Sequence, residues 1–118
     1  MVRIVLVDDH EDSLEALAEG LRLCGYEVYT ASNGRSGLEQ AERHSADAMI
    51  IDLVMPDMNG FEVARAARQK LGGQVTLIAL SGYGERSNRQ RSIEAGFNYQ
   101  LLKPVTPENL IPYLGSAA

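Results

Sequence analysis

The stretch Arg3-Ile4-Val5-Leu6-Val7-Asp8-Asp9-His10 decides the reading of this chain. Four apolar residues in a row, three of them β-branched, suit a strand buried on both faces. Two aspartates then end it. The run is far too short to cross a bilayer or to serve as a signal peptide.

The same pattern returns along the chain. Apolar runs from Ala48 to Ile51, Val75 to Leu80 and Tyr99 to Leu102 read as further buried strands, and Glu27 to Thr30 has the polar content of an edge strand. Helical stretches lie between them. Leu14, Leu17, Ala18 and Leu21 share one helix face, and Gly25 supplies the stop. Leu38 and Ala41 mark a second helix. Phe61, Ala64, Ala67 and Leu71 mark a third, ended by Gly72-Gly73. A fourth, from about Glu85 to Ala95, carries three arginines and few apolar residues, Ile93 chief among them. Thr106-Pro107-Glu108 opens the last with an N-cap and a proline at the first helical position. Pro112 inside it predicts a short or bent helix.

Strand and helix thus alternate five times, which predicts a parallel sheet with helices on both faces. At 118 residues this is one domain, spanning 1–118. One cysteine, Cys24, gives no disulfide framework and suits a reducing cytoplasm; we read it as core filler. A net charge of −5 disfavours direct contact with nucleic acid, and no segment predicts membrane insertion.

Ligands of such sheets bind beyond the carboxyl ends of the strands. Asp8 and Asp9 follow the first strand, Asp52 the third, Ser81 the fourth and Lys103 the fifth. Singly, each has an ordinary reading: an aspartate as a turn residue, a serine beside glycine as turn chemistry, a lysine as a solvated charge. Together they make a set. Three carboxylates repel one another unless a cation sits among them, and oxygen ligands suit Mg²⁺, or Mn²⁺ in its place. A lysine and a hydroxyl beside them complete equipment for phosphoryl transfer.

The stretches Val7-Asp8-Asp9-His10, Ile51-Asp52-Leu53-Val54-Met55-Pro56-Asp57-Met58-Asn59-Gly60, Ala79-Leu80-Ser81-Gly82 and Leu102-Lys103-Pro104 resemble the receiver domains of two-component response regulators. The resemblance covers essentially the whole chain. It implies a flavodoxin-like (βα)5 three-layer sandwich with strand order 2-1-3-4-5. It makes Asp52 the phosphoacceptor, with Asp9, Asp52 and the Val54 carbonyl as Mg²⁺ ligands and Asp8 acting through a coordinated water. Lys103 would pair with Asp52 and then with the phosphoryl group, joined by the Ser81 hydroxyl. Lys103-Pro104 would be a cis peptide, and Pro56 and Gly60 would shape the loop after Asp52, the glycine through a left-handed turn. The implied partner is a sensor histidine kinase or a histidine phosphotransfer protein.

Several positions depart from the family or go beyond its motif. Gln100 stands three residues before Lys103, where many receivers carry an aromatic switch residue, and it resembles the receivers of hybrid sensor kinases. Val54 and Tyr83, two residues beyond Asp52 and Ser81, are bulky and predict slow self-dephosphorylation. His10 and His44 are read as surface histidines, with His10 turned away from the aspartates. The weakly apolar fourth helix is expected to move on phosphorylation, with Arg86, Arg89 and Arg91 on a solvated face. No output domain follows in this chain, which leaves a single-domain regulator and a piece of a larger kinase both open. The shortened last helix weakens the case for dimerisation, leaving a monomer or a weak dimer.

Three other functions fit the residues less well. An aspartyl phosphatase or phosphotransferase of haloacid dehalogenase type needs a second carboxylate two residues after its nucleophile, and Leu53-Val54 follows Asp52. A flavin site needs a hydroxyl- and glycine-rich phosphate loop after the first strand, where this chain has carboxylates. A receiver-like interaction module without phosphorylation would not need the complete set of five polar residues.

Overall fold

The computed structural model describes residues 2–82 and 89–115. Five strands and five helices alternate: β1 (Arg3–Val7), α1 (Glu11–Leu23), β2 (Glu27–Ala31), α2 (Gly34–Arg43), β3 (Ala48–Asp52), α3 (Gly60–Leu71), β4 (Thr76–Ser81), α4 (Arg89–Ala95), β5 (Tyr99–Leu102) and α5 (Pro107–Leu114). The strands form one parallel sheet in the order β2-β1-β3-β4-β5. The flavodoxin-like expectation holds. The weakly apolar strand, β2, lies at an edge, as its composition implies.

Alternation along each strand divides the core into two layers. Val5, Val7, Met49, Ile51, Leu77 and Ala79 face α2 and α3. Ile4, Leu6, Ile50, Ile78 and Leu80 face α1 and α5, meeting Leu14, Ala18, Leu21, Leu110 and Leu114. Every one of these side chains is buried. Burying a side chain of this size stabilises by about 1.5–3 kcal/mol, so these two layers supply most of the drive to fold.

The helix ends follow local chemistry. Asn59 and Glu62 form a capping box at the start of α3, and Thr106 and Asn109 form one at the start of α5. Gly25, with φ +100°, turns the chain out of α1 in a conformation that costs other residues free energy. On the far side of α1, Gly20 lies under α5: a Cβ there would stand 2.6 Å from Cγ of Pro107. α5 has eight residues, with Pro112 in its second turn, so it is short as expected.

One expectation about side chains is corrected and others are refined. Cys24 follows the last turn of α1 and is exposed, because the apolar stripe of that helix ends at Leu21. His44 is stacked on Tyr29, with ring centroids 3.7 Å apart and planes 4° apart. In α4 the buried residues are Ser92 and Ala95, while Ile93 is 58% exposed. Small side chains, three apart, let α4 lie close to the body. Arg91 is exposed but packs its guanidinium 4.2 Å above the Phe61 ring of α3, so it does more than face solvent. Residues 85 to 88, read as the start of this helix, lie outside the described residues, as do Tyr83 and Arg86.

Candidate functional site

The polar residues converge at the carboxyl edge of the sheet. β1 stops at Val7, and the Asp8 N–H still bonds the Ala31 carbonyl at 3.1 Å, which fixes the start of the loop. Asp52 is the last residue of β3, paired in register with Leu80, and is 1% exposed. Ser81 ends β4 and pairs in register with Leu102 of β5. The Lys103 N–H bonds the Ser81 carbonyl at 2.8 Å, so the sheet aims the lysine at its neighbours. The Lys103-Pro104 peptide is cis, as the resemblance implied.

Lys103 Nζ lies 2.7 Å from Asp52 Oδ2, and the Val54 N–H reaches the other oxygen, Oδ1, at 3.1 Å. Burial raises the Asp52 pKa above its ordinary value, while the lysine and the Val54 N–H pull it back. Asp8, Asp9, His10 and Asp52 each place one potential ligand atom within 4.8 Å of the other three. Asp9 Oδ1 is buried and accepts no hydrogen bond among the described residues. The His10 Nδ1 stands 3.3 Å from it, but its own hydrogen bond goes to Asp8 Oδ1, at 3.1 Å. That bond, followed by the charges of Asp9 and Asp8, raises the His10 pKa.

Most of the expected residues are therefore brought together: Asp8, Asp9, Asp52 and Lys103 meet directly. The Ser81 hydroxyl is turned toward β5, where it donates a weak bond of 3.4 Å to the Leu101 carbonyl. Val54 is 59% exposed beside the site. Gln100 projects to the opposite face from Tyr99 and hydrogen-bonds the buried Ser92 hydroxyl of α4. A polar contact thus occupies the position where many receivers carry an aromatic residue. Tyr99 packs instead on Tyr113, with centroids 4.7 Å apart.

Two expectations fail here. His10 turns toward the aspartates, because its own N–H is held by Asp8 Oδ1 at 2.9 Å and this brings the ring over the cluster. The signal was its adjacency to the two aspartates. Gly60 lacks the left-handed backbone expected of it; it is the first residue of α3, and a Cβ there would stand 2.7 Å from the Asp52 carbonyl oxygen.

The family model for the response regulator receiver domain matches residues 4–114. This chain is a receiver domain of that family. Transcriptional regulatory protein PrrA of Mycobacterium tuberculosis is 36% identical over 109 residues, covering 92% of this chain and 46% of that protein. The receiver thus spans about half the length of this curated relative. Among solved structures, chemotaxis protein CheY4 of Vibrio cholerae superposes with a TM-score of 0.89 at 32% identity, covering 97% of this chain and 96% of that one. The receiver domain of sensor histidine kinase PA1611 from Pseudomonas aeruginosa PAO1, solved with a magnesium ion coordinated in its active site cleft, gives 0.84 at 30% identity, covering 96% and 93%. Receiver domains are signalling modules of two-component systems, and they interact with histidine kinases or phosphotransfer proteins. Among the described residues, no helix of this one is long and apolar enough to cross a membrane.

Proposed function

We propose that this receiver accepts a phosphoryl group on Asp52 from the phosphohistidine of a sensor kinase or histidine phosphotransfer protein, in a cytoplasmic phosphorelay. The observation that carries this reading is the placement of Asp52. It is a buried carboxylate at a strand end, held by Lys103 at 2.7 Å and faced by Asp8 and Asp9.

A carboxylate oxygen of Asp52 attacks phosphorus, the P–N bond of the phosphohistidine breaks, and the electron pair leaves with the imidazole. Lys103 releases one carboxylate oxygen and pairs with the incoming phosphoryl oxygens. The Ser81 hydroxyl exchanges its weak bond to Leu101 for one of the same oxygens. Positioning and charge neutralisation supply most of the rate in such a transfer. Val54 beside Asp52 shields the acyl phosphate from water, and we assign it a part in slow self-dephosphorylation; the same role is proposed for Tyr83.

The donor set fits a hard divalent ion: carboxylate oxygens, one of them, at Asp9, buried and without a hydrogen bond among the described residues. Asp9, Asp52 and the Val54 carbonyl would hold Mg²⁺, with Asp8 acting through a water. When bound, the ion neutralises charge on the transferring group.

Incubation with acetyl phosphate, followed by intact mass, tests the reading. A phosphoryl adduct that requires Mg²⁺ and disappears in Asp52→Asn is the expected result. An adduct that survives in the variant places the phosphoacceptor elsewhere.

A further inference from the structure

His10 occupies the N-cap position of α1, yet its side chain makes no capping bond. The ring turns the other way, placing Nδ1 3.1 Å from Asp8 Oδ1 and 3.3 Å from Asp9 Oδ1. Ligands about 2.1 Å from a transition ion stand roughly 3.0 Å apart at right angles and about 4.2 Å apart across the ion. The 3.3 Å between His10 Nδ1 and Asp9 Oδ1 lies close to the shorter of these, and on binding the ring gives up the Nδ1 proton and its hydrogen bond to Asp8. With Asp52 included, all four ligand atoms lie within 4.8 Å of one another. The backbone is already anchored, since the His10 carbonyl accepts the Leu14 N–H of α1 at 2.9 Å. The ring itself is 67% exposed and free to adjust.

Mg²⁺ takes oxygen ligands and keeps much of its water, whereas imidazole nitrogen suits Ni²⁺, Zn²⁺ and their neighbours. We propose that His10 Nδ1 is a fourth protein ligand at this edge, one that makes the receiver bind late first-row divalent ions in preference to Mg²⁺. The inference rests on the metal reading given above and adds a nitrogen donor to it. The ion would then be held by Asp9, Asp52, the Val54 carbonyl and the His10 imidazole, with Asp8 acting through a water. A receiver so equipped responds to the supply of such an ion as well as to its kinase.

The test is calorimetric titration of the full chain with Mg²⁺ and, separately, Ni²⁺, in wild type, His10→Ala and His10→Asn. Asparagine keeps the N-cap preference and a hydrogen-bonding group while removing the nitrogen ligand. The ratio of Ni²⁺ to Mg²⁺ affinity should fall about tenfold or more in both variants. In parallel, nitrogen NMR of the two histidines should show Nδ1 of His10 shifting on Zn²⁺ addition while His44 stays in place. An unchanged affinity ratio, or a static His10 resonance while the ion binds, overturns the inference and leaves the Mg²⁺ reading intact. Failure of the wild type to bind any divalent ion overturns both.

Discussion

Gly60 lies against Asp52: a Cβ on the glycine would stand 2.7 Å from the aspartate's carbonyl oxygen and 2.7 Å from Cα of Leu53. Both obstacles are backbone, so neither can swing aside. The first turn of α3 and the end of the strand carrying Asp52 are thus in direct contact, tied also by the Gly60 N–H to the Leu53 carbonyl at 3.0 Å. Gly60→Ala should cost about 1–3 kcal/mol through overpacking. Because the strain falls on Asp52 itself, phosphorylation by acetyl phosphate should slow as well. Urea unfolding and the adduct assay check the two effects. A variant as stable as wild type would mean that the loop accommodates the methyl group.

Ionised Asp52 is a burden on the fold. Its folded pKa is raised, chiefly by burial, so its contribution to stability is fully present below the ordinary carboxylate pKa and is lost as pH rises through the folded value. In chelator, Asp52→Asn should therefore be more stable than wild type at pH 7, by about 1 kcal/mol or more. The gap should close on acidification. Lys103→Met should move the other way, destabilising by about 1–3 kcal/mol at pH 7 by leaving the carboxylate unpaired. That loss should shrink as acid protonates Asp52. Urea midpoints at pH 7 and pH 4.5 measure all of it, and a Lys103→Met cost independent of pH would sink the account.

Arg68 ties α3 to two loops at once. Its guanidinium donates to the carbonyls of Gly96, Gly72 and Val75 and to Asn98 Oδ1, at 2.7 to 3.0 Å. Asn98 Oδ1 also accepts the Leu77 N–H of β4 at 2.8 Å. The planar fork makes all of these contacts together, which an ammonium cannot do. Arg68→Ala should cost about 2–4 kcal/mol, and Arg68→Lys should recover less than half of that. Amide exchange of α4 should rise in both, since Gly96 ends that helix. Full recovery by lysine would show that charge alone matters.

The strand edges and the acidic set were legible because each rests on local pattern. Short apolar runs ending in Asp8, Asp52, Ser81 and Lys103 report both a buried strand and its carboxyl end. What escaped the sequence was direction. Adjacency marked His10, but only the bond from its own N–H to Asp8 Oδ1 shows which way the ring turns. Gly60 was marked as glycine for the wrong reason: close approach and a left-handed turn leave the same letter, and only the fold separates them. Ser92 and Ala95, the contact face of α4, carry no apolar signal strong enough to mark them in advance. Arg68 left no signal at all, since its partners are backbone carbonyls and an asparagine drawn from separate loops.

Tyr26 makes the last prediction, one independent of the site. It is 5% exposed in the layer between α1, α5 and the sheet, and its hydroxyl donates to the Gly115 carbonyl at 2.6 Å. The bond holds the end of α5, where Gly115 turns with φ +78°. Tyr26→Phe should cost about 1 kcal/mol at pH 7, the usual net value of such a bond. Burial raises the phenol pKa above its ordinary value. This group's contribution is therefore complete below the unfolded value, about 10, and is lost as pH rises through the folded one. Phenylalanine has no proton to lose. The difference between the two proteins should narrow above pH 10 and then reverse as the buried phenolate forms. Urea midpoints of both at pH 7, 9.5 and 11 provide the measurement. A constant difference across that range would mean that the Tyr26 hydroxyl titrates as it does in the unfolded chain.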